Sequence, residues 1–266
     1  MRAEAESGAI TITKQAKDIW RAAPCFGPLI VVAQVYAYDL SVRASYLDGA
    51  RGYFNGASVF LCPVGREHAL HRRYRAARFG VRRVAGRDNL CRGAAPCDFG
   101  RYRAESYDEL IDHPVEIGTF ATARFMAGGA QHDIAITGQQ QADLPRLSQD
   151  LTRVCQWHID LFGGAPDSPA PFDRYLFQVT AVGDGHGGLE HRTSTSLLCR
   201  RDELPQPGAE TISDDYLNFL GLASHEYFHA WNVKRIKPEA FSPYDLIARE
   251  LHAAALGLRG HHVLLR

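Results

Sequence analysis

The sequence predicts an α+β protein: an N-terminal, mainly-β domain to about residue 140, then a mixed part in which strands alternate with two helices. Three observations carry that expectation. β-branched and aromatic runs broken by glycine and asparagine dominate the first 140 residues. Leu147, Leu151, Val154, His158 and Leu161 then recur at helical spacing. Finally, an apolar stretch from Leu217 carries the pattern His225-Glu226-Tyr227-Phe228-His229.

Taken in order, residues 28–40 (PLIVVAQVYAYDL) read as a strand. Gly52, Asn55 and Gly56 mark a turn that leads into a second strand over 57–62. Residues 114–126 and 132–137 read as strands separated by Gly128-Gly129. The helix over 144–162 stops at Gly163-Gly164. Residues 166–171 are a loop, Tyr175–Val182 a buried strand, 183–188 a glycine-rich turn, and Thr193–Cys199 one more strand. A proline-rich loop at 205–208 precedes the H-E-x-x-H helix.

Composition narrows the function. The chain has 266 residues, zero formal net charge and 45% hydrophobic residues, as expected of one large or two modest globular domains. No basic excess points to nucleic acid and no charge imbalance to a membrane surface. The longest apolar run, Pro28–Ala33, is too short to span a bilayer. The N-terminus lacks the basic-then-apolar pattern of a signal peptide. Six scattered cysteines without C-x-x-C read as reduced thiols of a cytoplasmic protein.

Chemistry is concentrated in two motifs. On a helix, residues i and i+4 share a face, so His225 and His229 can aim two imidazoles at one metal ion. Zinc accepts such ligands and keeps a position open for water in hydrolases. Glu226 beside that water is a candidate general base. The alternative is a pair of ordinary surface or core histidines. Against it, an apolar helix that carries two His and a Glu inward has to pair them with something. The second motif is Gly187-Gly188-Leu189-Glu190-His191. Paired glycines let another backbone approach a strand closely, so a peptide could add to that edge. Glu190 would offer a carboxylate to the cationic amine of a free N-terminus. A glycine turn with a surface Glu is the other reading.

Together, GGLEH and SHEYFHxWNVKRIKP resemble the signature of the glycyl aminopeptidase family of zinc metallopeptidases. VYAYDLSVR (35–43), FGRYRAESYDELIDHPVE (99–116), FDRYLF (172–177) and LNFLGLASHEYFH (217–229) are similar to family sequence as well. The resemblance implies a β domain followed by the first part of a thermolysin-like metallopeptidase domain. It implies Zn2+ held by His225 and His229, Glu226 as catalytic base, and Glu190, with Gly187 and Gly188, binding a peptide substrate through its free N-terminus. It also implies a preference for small N-terminal residues, Gly or Ala.

One expected feature is missing. The family's third ligand is a Glu in a W-x-x-E-G segment about 30 residues past the second His, where this chain reads Leu256–Arg266 without Glu-Gly. Residues 256–266 can be written in codons that, read one base later, give Trp-Ala-Phe-Glu-Gly-Ile-Thr-Ser-Tyr-Tyr. A frame slip near 247–252 is therefore expected, with a second over the Arg-rich stretch 64–90. The expected organisation is a β-rich domain over 1–140, an incomplete catalytic domain over 141–246, and an out-of-frame tail over 247–266. Within that tail, Glu250 is the weak in-frame fallback for the third ligand, and His261 and His262 could only imitate one. Three readings stay open: a truncated zinc aminopeptidase, a peptide-binding remnant without zinc, and an endopeptidase.

Overall fold

The computed structural model describes residues 1–64, 72–75, 85–87, 101–104 and 106–237. They belong to two compact units, Met1–Tyr36 and Ala37–Arg266. In the first unit, β1 (Arg2–Ala5) is the middle strand between β2 (Gly8–Ile10) and β5 (Ile30–Val32), and both pairings are antiparallel. β3 (Ile12–Lys14) and β4 (Trp20–Ala22) form a separate hairpin. β1 alternates as period-two pleating requires, with Ala3 and Ala5 buried and Arg2 and Glu4 outside. The strand expected over 28–40 is shorter: Ile30–Val32 form a strand, with all three residues exposed, and an isolated bridge joins Tyr38 to Tyr46. Its β-prone residues run on as the connection between the two units, so most of them find no ladder partner.

The second unit opens with the hairpin β6 (Ser45–Leu47) and β7 (Gly52–Phe54). Here too the expectation shifts. The strand precedes the turn, and residues after it form α1 (Gly56–Val59). Asn55 causes this: its side chain caps the helix at the Ala57 amide, and Ser58 Oγ donates to its carbonyl. Two further strands, β8 (Arg72–Arg75) and β9 (Ala85–Arg87), lie within the stretch expected to be scrambled; the rest of that stretch from residue 65 is outside the described residues. β8 pairs with β10 (Arg101–Ala104). Next come α2 (Tyr107–Ile111), capped by Ser106, and β11 (Val115–Gly118), which pairs with β7 and β9. The strand expected over 114–126 is thus two strands in different sheets, parted at Gly118.

The centre of the unit is a five-stranded mixed sheet in the order β12-β13-β14-β16-β15. Its strands are β12 (Ala121–Ala127), β13 (Ala130–Thr137), β14 (Arg174–Val182), β15 (Gly187–Glu190) and β16 (Ser194–Arg200). β13, β14 and β16 run parallel; β12 and β15 are antiparallel edges. Gly128 and Gly129 join β12 to β13 with positive φ at both positions, the backbone that a two-residue hairpin demands. α3 (Leu144–Gly163) crosses from β13 to β14, capped by Asp143 and ended by left-handed Gly164. α4 (Asp214–Phe228) starts at Ser213, whose hydroxyl accepts the Tyr216 amide, with Asp214 and Asp215 in its first turn.

The two faces of this sheet differ. Ile134, Ile136, Tyr175, Phe177, Val179 and Leu197 point to one side and bury against Leu147, Leu151, Cys155 and Ile159 of α3 and Phe219, Ala223 and Tyr227 of α4. Each such side chain, fully buried, contributes about 1.5–3 kcal/mol. The opposite face is polar. Arg51 Nη1 donates to Glu116 Oε1 (2.9 Å), Thr180 Oγ1 (2.8 Å) and Thr137 Oγ1 (3.2 Å). Tyr53 OH donates to the Val42 carbonyl at 2.7 Å and lies 3.0 Å from Ser196 Oγ. This network holds the Ser41–Ala44 turn beside the β15 edge, where a Cβ on Gly187 would touch Val42. Among the described residues, no helix is long and apolar enough to cross a membrane.

Candidate active site

α4 carries the histidines to its own end. Tyr216, Phe219, Leu220, Ala223 and Tyr227 form its buried stripe. Glu226 lies beside that stripe and is 5% exposed. His225 is on the open side, and His229 is the C-cap residue. The two imidazoles meet edge to face, 88° apart, with Nε2 to Nε2 at 3.2 Å. His229 Nδ1 is 3.1 Å from the Asn232 carbonyl. A carbonyl only accepts, so the network puts the proton on Nδ1 and leaves a lone pair on Nε2.

That spacing suits a shared cation. Two zinc–nitrogen bonds of about 2.0–2.1 Å at a tetrahedral angle place their nitrogens about 3.3 Å apart. The residues present therefore fit two zinc ligands, with the supporting carbonyl that a metal-bound imidazole usually has. Among the described residues, no third His, Cys, Asp or Glu completes a metal-binding group. Glu250, His261 and His262 lie outside the described residues, as does the whole stretch expected to hold the third ligand.

Glu226 Oε2 is buried and has no hydrogen-bond partner among the described residues. Burial first, and the Glu190 charge second, push its carboxyl up to about 8, while Arg43 opposes the rise. Gly188 faces this carboxylate. A Cβ on it would stand 2.6 Å from Glu226 Cγ, so the glycine makes room for the candidate base. Gly187 and Gly188 lie within β15 rather than before it. Among the described residues, β15 pairs only on its β16 side and is the sheet edge beside α4. The motif's Gly187, Gly188 and Glu190 and the helix's Glu226 therefore meet in one place.

The turn after α4 explains the rest of its motif. Val233 takes φ 84°, and its amide donates to Ile236 O at 2.9 Å, which turns the Asn232 carbonyl back toward His229. Trp231 stacks on Phe162 at 4.9 Å. Arg235 lies over the Phe172 ring and donates to the Ala230, Arg192 and Pro171 carbonyls. Lys234 Nζ donates to Asp112 Oδ1 at 2.8 Å. Sequence reasoning missed Arg43 and Asp112 as parts of the site. Both stand in stretches noted for resemblance alone, and nothing local assigns either one a partner.

Two family models match the chain: the Peptidase M61 N-terminal domain over residues 1–119 and the M61 glycyl aminopeptidase domain over 218–256. The chain belongs to the M61 glycyl aminopeptidase family. Its second matched segment contains the whole H-E-x-x-H pattern. A crystal structure of an aminopeptidase N family protein from Idiomarina loihiensis is 38% identical and superposes with a TM-score of 0.86. The match covers 93% of the M61 chain and 41% of that structure. This α+β chain, with its N-terminal β domain, therefore spans less than half the length of that relative.

Proposed function

We propose that the chain carries the substrate edge, the general base and two metal ligands of a zinc-dependent aminopeptidase that removes small N-terminal residues, Gly or Ala, from peptides. The observation that carries this reading is the approach of the two imidazole Nε2 atoms to 3.2 Å, next to a buried carboxylate that faces a glycine of an open strand edge. Membership of a peptidase family supports it.

Zinc held by His225 and His229 would polarise the scissile carbonyl and acidify a bound water. This chain's residues supply the rest. The open side of β15 pairs with the substrate backbone, and Gly187 and Gly188 let it come close. Glu190 accepts hydrogen bonds from the N-terminal ammonium, a charge-assisted contact that counts the chain in from its end. Glu226 removes a proton from the attacking water and delivers it to the leaving amine. The positive charge of a bound zinc ion would oppose the rise that burial and Glu190 impose on this carboxyl and favour its basic form. Buried free thiols at Cys155 and Cys199 support the expectation of a reducing, cytoplasmic setting.

The test pairs zinc content by elemental analysis with release of Gly or Ala from aminoacyl anilides. Stoichiometric zinc is expected, with turnover lowered on the order of 10²–10⁴-fold by Glu226→Gln while zinc is retained. Zinc-free, folded and inactive protein would overturn the proposal in favour of a peptide-binding remnant. Undiminished turnover in Glu226→Gln would overturn the assigned base. If Glu190→Ala spares cleavage of N-blocked peptides, the enzyme is an endopeptidase instead.

A further inference from the structure

We propose that Asp112 is a positioning residue that fixes the Glu190 strand to the turn leaving the histidine helix, and so sets the distance between amine recognition and the metal ligands. This rests on the aminopeptidase reading and goes beyond it, since nothing in the zinc–histidine chemistry itself calls for Asp112.

One carboxylate bridges the two motifs. Asp112 Oδ2 accepts the backbone amide of Arg192 at 2.9 Å, two residues past Glu190. Asp112 Oδ1 accepts Lys234 Nζ at 2.8 Å, five residues past His229. Lys234 is itself tied back, because its amide donates to the His229 carbonyl at 3.3 Å. Arg235 completes the grip from the other side by donating to the Arg192 carbonyl at 2.9 Å. Both backbone polar groups of Arg192 are thus held, one by Asp112 and one by the turn that follows the histidines.

The carboxylate is placed for this. It is the C-cap residue of α2, and its amide donates to Asp108 O. Its side chain is only 11% exposed. Burial pushes its carboxyl up, but His191, with Nδ1 3.5 Å away, and Lys234 more than offset this and hold it well below the usual carboxylate range. A buried ion whose partner is removed is left uncompensated, so such a bridge resists loosening. Misplacement of a binding group by even a fraction of a bond length weakens productive binding. Within β15, Glu190 is held from one side by its pairing with Thr195 of β16, and among the described residues the Asp112 bridge fixes the chain just past it.

The test compares wild type with Asp112→Asn, using an alanyl anilide and its N-acetylated form, alongside zinc content and near-UV circular dichroism. The expected result is a rise in KM for the free-amine substrate on the order of tenfold, with zinc retained and discrimination against the blocked substrate reduced. A merely structural role would lower the amount of active enzyme without moving KM. Folded Asp112→Asn with wild-type KM and discrimination would overturn the proposal. If that variant does not fold, Lys234→Met, which keeps the Arg192 contact, is read the same way, with an expected rise of about threefold. Should wild type show no aminopeptidase turnover, the activity reading fails separately. Amide exchange then decides on the bridge: faster exchange at Leu189 and Arg192 in Asp112→Asn supports it, and unchanged exchange overturns it.

Discussion

α4 touches two pairs of histidines, and it treats them in opposite ways. On its inner side, His132 of β13 and His158 of α3 are 0% and 1% exposed. His132 Nε2 pairs with Tyr227 OH at 2.8 Å and His158 Nε2 with Ser224 Oγ at 2.9 Å. Aromatic rings surround them, with Phe125 stacked on His132 at 4.8 Å. On the outer side, His225 and His229 turn their Nε2 atoms toward each other. His132 spends both ring nitrogens on protein neighbours and His158 its Nε2, with no hydrogen-bond partner for His158 Nδ1 among the described residues; the outer imidazoles aim their Nε2 atoms at a shared point. Histidines near an H-E-x-x-H helix are thus sorted by what their nitrogens face, and the inner pair should govern stability while the outer pair governs metal binding.

Acid should break the inner pair first, with the largest effect. Burial lowers His132 and His158 from 6.5 to about 4. Between those values the unfolded chain binds more protons than the folded one, so stability falls as pH drops from 6.5 toward 4 and is fully present above that window. The loss should reach up to about 3 kcal/mol per histidine, read from urea denaturation at stepped pH. A flat profile over that window would show that these imidazoles are not buried neutral.

His225→Ala probes the outer pair. It should weaken zinc binding on the order of a hundredfold or more, beyond the usual loss from a supporting residue. The metal-free stability should stay within about 0.5 kcal/mol, as for other substitutions at exposed positions. Isothermal titration with zinc and urea melts of the metal-free protein separate the two effects; a large stability loss would erase the distinction between the pairs. Tyr227→Phe is the reciprocal change. It leaves His132 Nε2 unpaired in the core and should cost about 1–3 kcal/mol without altering zinc affinity.

How much of this was legible in the sequence depended on range. α3 showed itself because its signals are local: Leu147, Leu151, Val154, His158 and Leu161 at helical spacing, and Gly163-Gly164 after them. The His225–His229 pair was legible for the same reason, since i,i+4 spacing on a helix dictates proximity. The short strands of residues 1–22 were not, because runs of three or four residues carry too few alternations to stand out. Residues 57–62 were misread as a strand because the Asn55 cap decides for helix there. Asp112 and Arg43 were invisible because their partners lie far along the chain, and a lone charge does not name its counterion. The third-ligand question concerns residues 238–266, outside those described, so Glu250 and the expected frame slip stand as expectations.

Val233 links the two halves of the comparison and gives the smallest expected effect. A β-branched residue at φ 84° sits in a region that costs about 1–3 kcal/mol for such side chains. The turn it makes delivers the Asn232 carbonyl to His229 Nδ1, so strain on the fold side serves orientation on the metal side. Val233→Gly removes the clash but adds backbone freedom to the unfolded chain, which offsets part of the gain. The net should be a stabilisation of about 1 kcal/mol or less. Zinc affinity should fall about threefold, because the ring of His229 is then less firmly oriented. Opposite shifts in melting temperature and zinc affinity from one substitution would tie the strain to the site. A melting temperature that falls, or affinity that holds, would show instead that Val233 only closes a turn.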